Sequence, residues 1–318
     1  MKSRKTSSSK AAARVVVVGS LNIDLLAKVE RLPQPGQTVS ASALVRRFGG
    51  KGANQALAAA RQGADVQLIG CVGDDADGAA YRAWLDRSGV DTAAVATARR
   101  QSTGTAMIAV STEGENFIVI NAGANAALTA RHVRLHREMI VSAGVVVLQW
   151  EVPLPTILEA MTIANRAGVP VIFTPTPMRP GFPWGKVRIG VLIVNEGEAR
   201  ELFGAGALKR DRASWQAKLS THGAERIVIT RGARPTIAIT PDGYSEVPVL
   251  PITPVDTVGA GDAFAGTLAS RLAEGTDFAA AVAAANCAGG LATLKPGAQE
   301  AIPTRRATDR TLHRLPPR

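Results

Sequence analysis

The 318-residue chain holds only two cysteines, Cys71 and Cys287, far apart and set among apolar or small residues. That excludes a disulfide framework and a thiolate metal site, and fits reduced thiols in a cytosolic protein. No run of about 18 or more uncharged apolar residues occurs, so no membrane-spanning helix is expected. No G-x-G-x-x-G follows the first apolar strand in "VVVVGSLNID", which removes the fingerprint of a nicotinamide-dependent oxidoreductase. His132 and His136 stand one helical turn apart in "RHVRLHRE", but no glutamate lies between them, and Arg131, Arg134 and Arg137 surround the pair. Those arginines oppose a cation, so a solvated helix face is expected there rather than zinc.

Acid is missing from the first 14 positions, where Lys2, Arg4, Lys5, Lys10 and Arg14 stand alone, and Asp309 is the only acid among the last 14. These two ends carry nine of the net +11 charges, so the body between them is nearly neutral. Basic ends can attract polyanions, but solvated, disordered segments over 1–13 and 305–318 are the simpler expectation, with neither nucleic acid nor membrane as partner. At 46% hydrophobic residues, the remainder is ample for the core of one large α/β domain over 14–304.

Apolar, β-branched runs recur as "VVVVG" (15–19), "VQLIGCVG" (66–73), "VVVLQW" (145–150), "VPVIFTP" (169–175), "VLIVNE" (191–196) and "RIVITRG" (226–232). Segments of helical length separate most of them, and Gly63, Gly168 and Gly223 each stand just before the next strand, where a helix C-cap belongs. Strands apolar on both faces and alternating with helices predict a three-layer, Rossmann-like, mostly parallel sheet between helices. A second kind of strand, at about 20–30, 37–48 and 103–122, alternates polar with apolar. These strands are expected to form a small antiparallel lid that closes over a ligand or pairs with a second subunit in a homodimer.

Chemistry concentrates in "DTVGAGDAFAG" (256–266). Gly259, Ala260 and Gly261 have little side chain and open a helix, so their free amides and the helix dipole make an anion site. A carboxylate beside a phosphate cradle is unfavourable unless it has another task. The task that fits Asp262 is general base, taking a proton from a hydroxyl as that oxygen attacks a phosphoryl group. The alternative reading is an ordinary helix start in which the aspartate caps its own amides. In "FGGKGANQALAAARQG" (48–63), Gly49 and Gly50 lead into a second helix carrying Lys51 and Asn54 in its first turn.

Together "GGKGANQA" and "DTVGAGDAF", about 200 residues apart, resemble the two signatures of the ribokinase-like (phosphofructokinase-B type) carbohydrate kinases. "GSLNIDLLAKVERLPQPGQTV" (19–39), "GEN" and "GAN" (114–116, 123–125), "QWE" (149–151), "NEGE" (195–198) and "GAQEAIPT" (297–304) follow in that family's order. The resemblance implies that Asn22, Asp24, Gly50, Lys51, Asn54 and Glu151 hold a sugar. It implies that Asp262 is the base and that Gly259, Ala260 and Gly261 form the anion hole. Asn195, Thr230, Gly232, Gly261 and Asn286 would line ATP, with Glu198 organising Mg2+ through water. A monovalent cation, K+, would sit against Asp256, Val258, Ala292, Lys295 and Gly297.

The activity so implied is ATP-dependent phosphorylation of D-ribose at its 5-hydroxyl, with 2-deoxyribose, fructose or a nucleoside as the alternative acceptor. A noncatalytic sugar-binding regulator using basic ends on nucleic acid is the rival from another class, and it predicts loss of the base that is present here. Three departures from the family's pattern stand out. Ala301 replaces a common serine near the cation site, Pro235 a glycine in "TRGARP", and Thr174 a frequent asparagine in "FTPTP". The last two lie, on this reading, toward the nucleotide.

Overall fold

Val15, Val16, Val17 and Val18 are all fully enclosed, which a strand achieves only when helices cover both its faces. In the computed structural model, which describes residues 13–316, Arg14–Val18 lies inside a ten-stranded sheet. Val15 and Val17 enter one apolar layer with Phe264 and Leu268. Val16 and Val18 enter the other with Ile157 and Met161. The expected three-layer α/β architecture is present. Gly168 and Gly223 adopt the left-handed C-cap foreseen for them.

Beginning at one edge, the strands run Gly243–Val247, Arg234–Thr240, Ile227–Arg231, Val191–Asn195, Val171–Thr174, Val145–Gln149, Arg14–Val18, Asp65–Gly73 and Val90–Asp91. Val95–Ala98 also pairs with Asp65–Gly73. All pairings are parallel except the first two, where an edge hairpin that the apolar runs do not announce turns antiparallel. The chain builds outward from Arg14–Val18 first toward Asp65–Gly73, then on the other side toward Val145–Gln149. That reversal opens a crevice at the C-terminal strand ends, where open α/β sheets bind ligands.

The lid is a separate four-stranded sheet in the order Ala41–Gly49, Asn22–Val29, Gly104–Val110, Asn116–Asn121. It is mixed rather than purely antiparallel: Asn22–Val29 and Gly104–Val110 run parallel, with Asn22 opposite Gly104. Both strands leave the main body at the same base, so they have to run in the same direction. The tip is also less one-sided than alternation implies. Phe117, Ile118, Val119 and Ile120 are each 45–59% exposed, and Leu44 and Met107 more than half.

The second basic end is not a solvated tail. Arg305–Thr311 is a helix whose Thr308 is fully buried and accepts from Gln62 Nε2 at 3.0 Å. Arg305 pairs with Glu274, and Arg271 with Asp309. The first basic segment, 1–13, lies outside the described residues except for Ala13. Among the described residues no helix is long and apolar enough to cross a membrane. His132 and His136 do not share a helix, since His136 ends Ala130–Leu135 and begins Arg137–Val141.

Candidate active site

The crevice holds two adjoining cavities. One is lined by Lys51, Gln55, Thr174, Thr176, Asn195, Glu198, Thr230, Gly261 and Asp262. The other, about 830 Å³ with its open mouth, is walled by Gly232, Val249, Leu250, Ile252, Pro254, Phe264, Gly289 and Gly290, and shares Thr230 and Gly261 with the first. A compact polar chamber thus opens into a longer apolar slot, with the start of one helix as the partition.

That helix is Ala260–Ala273. Gly259 before it has φ +76°, and a Cβ there would come within 2.8 Å of Ala298 Cα, so only glycine both takes this turn and lets the 297–302 loop pack against it. Ala260 spends its amide on Thr257 O at 3.3 Å, which leaves the amides of the turn unequal as anion donors. Asp262, 7% exposed, does not cap its own helix. Its Oδ2 accepts from Asn54 Nδ2 and its Oδ1 from Gln55 Nε2, both at 2.9 Å. The capping alternative is therefore set aside: the carboxylate is reached from the opposite helix, Lys51–Arg61, and is aimed into the polar chamber.

The strand Ala41–Gly49 delivers Gly49 against Asp24 of the neighbouring lid strand. A Cβ at Gly49 would lie 2.0 Å from Asp24 Oδ2, so the absence of a side chain makes room for that carboxylate. Gly50 supplies the N-cap of the Lys51–Arg61 helix. Glu151, just past its strand end, accepts from the Lys51 backbone N–H at 3.0 Å and from Ser20 Oγ. It is tied to the helix start rather than turned loosely to solvent. Asn22 is buried, and its Oδ1 accepts from Asn125 Nδ2 at 2.7 Å.

Burial, followed by the charges of Glu151, Asp262 and Glu300, pushes Asp24 up to about 7. Burial works against the Lys51 ammonium, but Asp262, Glu151, Glu198 and Asp24 together hold its pKa above the ordinary lysine value. The Lys51 ammonium thus lies among four carboxylates, a composition suited to sugar hydroxyls and to a bound metal–polyphosphate.

Of the residues the resemblance assigns to ATP, Asn195 lines the polar cavity, Gly232 and Asn286 the apolar one, and Thr230 and Gly261 both. Thr230 and Gly232 line the slot. Asn286 also borders it, but its amide is committed: Oδ1 accepts from Thr236 Oγ1 at 2.7 Å, and Nδ2 donates to Val247 O and Pro248 O. Asn195 and Glu198 form a reciprocal capping box at 2.8 and 2.9 Å. The other oxygen of Glu198 accepts from Thr176 Oγ1 at 2.7 Å. Thr174 lines the polar chamber beside Asn195 and Thr230.

Asp256 accepts from the amides of Val258 and Gly297 at 3.0 and 2.8 Å, and its own amide donates to Thr293 O. The segments assigned by resemblance to a monovalent cation therefore lie side by side, with backbone as the material available for ligation. Ala301 is buried in an apolar cluster with Ala292 and Ile302. From the lid, Arg47 approaches Glu300 at 3.8 Å, above this loop.

Several contributors were not singled out by sequence reasoning: Ser20, Gln55, Asn125, Gln149, Thr176 and Gln299. Gln55 adjoins a motif residue and Gln149 begins "QWE", so position within a motif is the one signal that could have found them.

With this geometry in hand, comparison with known proteins places the chain. It belongs to the pfkB family of carbohydrate kinases, whose pattern, described as pfkB family carbohydrate kinase, matches residues 12–305. It is similar to the ribokinase of Bacillus subtilis, 36% identical over 299 residues that span 94% of this chain and 99% of that protein. It is also similar to a bifunctional ribokinase/ribose-5-phosphate isomerase A of Fructilactobacillus sanfranciscensis, 37% identical over 92% of this chain but only 55% of that protein. The deoxyribokinase of Salmonella typhi is 31% identical over 91% of this chain and 95% of its own length. Among solved structures, the Arabidopsis thaliana ribokinase complexed with ribose and ATP superposes with a TM-score of 0.87 at 30% identity, covering 95% of this chain and 99% of that one. The chain is an ATP-dependent, ribokinase-like sugar kinase that binds a sugar and ATP.

Proposed function

We propose that the acceptor is D-ribose and that the product is ribose 5-phosphate. The observation that carries this reading is the Asp262 carboxylate, held by Asn54 and Gln55 at the point where the polar chamber meets the glycine turn. Asn22, Asp24, Lys51, Asn54 and Glu151 surround the furanose hydroxyls, and burial makes each unmatched hydroxyl costly, so the chamber selects by hydrogen-bond count. The 5-hydroxyl lies at Asp262, which takes its proton as the oxygen bonds to the γ-phosphorus and the bond to the β-phosphate oxygen breaks, releasing ADP. The amides of Gly259 and Gly261, together with the Lys51 ammonium, stabilise charge on the transferred group.

Mg2+ would be held near Asn195 and Glu198 through water, and supplies charge neutralisation on the phosphates. The excess of carboxylates over the single lysine in the chamber is consistent with it. K+ would order the 256–261 turn from backbone carbonyls at Asp256, Val258, Ala292, Lys295 and Gly297. With Ala301 offering no hydroxyl, its activating effect is expected to be modest. The exposed apolar strand Asn116–Asn121 supports a homodimer joined through the lids.

A second acceptor, 2-deoxyribose, is favoured by the deoxyribokinase likeness. Initial rates of ADP release on ribose, deoxyribose, fructose and adenosine test the assignment. Ribose with the highest kcat/KM is the expected outcome, and a preference for any of the others refutes it.

A further inference from the structure

The carboxylate of Asp262 only accepts hydrogen bonds, so Asn54 and Gln55 must both turn their NH2 groups toward it and their oxygens away. Each oxygen is then met by another amide. Gln299 Nε2 donates to Asn54 Oδ1 at 3.0 Å, and Gln149 Nε2 donates to Gln55 Oε1 at 2.7 Å. Gln299 is 2% exposed and Gln149 wholly buried, so neither inner oxygen can turn to water instead.

The two outer amides are held differently. Gln299 is itself fixed, with Oε1 accepting from Trp84 Nε1 at 2.9 Å and Nε2 also donating to Tyr81 Oη at 2.6 Å. Tyr81 in turn donates to Gly49 O. Gln149 Oε1 is buried with no hydrogen-bond partner, which is destabilising. Stability alone would favour a side chain without that orphaned oxygen.

We propose that Gln149 and Gln299 are positioning residues for the transfer step: their donated hydrogen bonds set the direction in which Asn54 and Gln55 present N–H to the base. This rests on the reading of Asp262 as general base. Gln299 extends the arrangement further, because it sits in the 297–302 loop that packs on Gly259, so one side chain joins the anion turn, the sugar helix and the floor of the lid at Gly49.

The test compares Gln299→Met, Gln299→Glu and Gln149→Met with the parent protein. Methionine keeps the length and removes the donor, so kcat falls about 10-fold or more at every pH while KM for ATP holds. Gln299→Glu separates positioning from packing. A neutral carboxyl can still donate to Asn54 Oδ1, whereas an ionised one attracts the Asn54 NH2 and turns its oxygen toward Asp262. Activity of this variant is therefore partly rescued at low pH, and it gains a descending limb at higher pH that the parent lacks. Folded variants with the parent's kcat and pH profile, or a loss of Tm with no new limb, overturn the proposal.

A readout independent of turnover is the side-chain NH2 resonances of Asn54 and Gln55. They are expected to be protected from exchange in the parent and to lose protection when their outer partner becomes methionine. Should the parent phosphorylate no sugar, the functional reading fails, and these resonances still decide whether the outer amides orient the inner ones.

Discussion

The two halves of the crevice are built on opposite principles. At and around the polar chamber several groups are held by their neighbours: Asp262 by Asn54 and Gln55, Asn22 by Asn125, and Glu151 by Ser20 and a backbone amide. In the apolar slot the walls are mostly small or aliphatic residues, and the buried Asn286 spends its polar atoms on the protein. With the sugar proposed for the first and the nucleotide for the second, recognition would rest on hydrogen bonds in the one and on shape in the other, so single-atom changes are expected to be costly in the first and mild in the second.

The sharpest way to probe this contrast is Asp262→Asn, which is nearly isosteric but cannot take the proton. It is expected to lower kcat about 10²–10⁴-fold with little change in KM for either substrate, as read by coupled ADP release. Gly49→Ala comes next. Its methyl group lands on the Asp24 carboxylate, and the resulting displacement should reduce kcat/KM for the sugar about 100-fold while KM for ATP is unaltered.

Asp24→Asn removes a charged acceptor and should cost about 10-fold or more in kcat/KM for the sugar. It also has a stability signature with a definite sign. Asp24 is raised to about 7 in the fold, against 3.8 when exposed. The folded state therefore holds its proton more tightly, and stability drains away as pH climbs between those values. Thermal melts of the asparagine variant should show a gain over the parent at pH 8 that disappears near pH 4. Smallest of all, Ile252→Ala in the slot should raise KM for ATP only about fivefold, the worth of roughly 1 kcal/mol of apolar contact. A larger loss there than at Gly49 would break the contrast.

How much of this was legible in the chain depended on whether a residue's signal is local. The six apolar runs, the junction glycines and the "GAGD" turn each announce themselves within a few positions, because burial on two faces and a left-handed turn constrain sequence locally. The parallel pairing inside the lid does not. It follows from Asn22 and Gly104 leaving the body at one base, a contact across some 80 residues. Gln149 and Gln299 stand within motifs, but their role does not show there, since a lone glutamine has no periodicity and acquires meaning only when the fold sets its amide beside another. The arginines of 305–311 read as solvated charge because composition does not show that Glu274 waits for one of them.

The docking of that last helix bears on how the protein can be trimmed. Gln62, one residue beyond the helix that carries Lys51, Asn54 and Gln55, gives its amide to Pro303 O and Thr308, while Arg61 grips the carbonyls of Gln299 and Ile302. The helix Arg305–Thr311 thus acts as a buttress behind the helix Lys51–Arg61. Proteolytic clipping or an engineered stop after residue 304 would strip Gln62 of its Thr308 partner and uncover the rear of the helix Lys51–Arg61, although no residue lining either cavity had been removed.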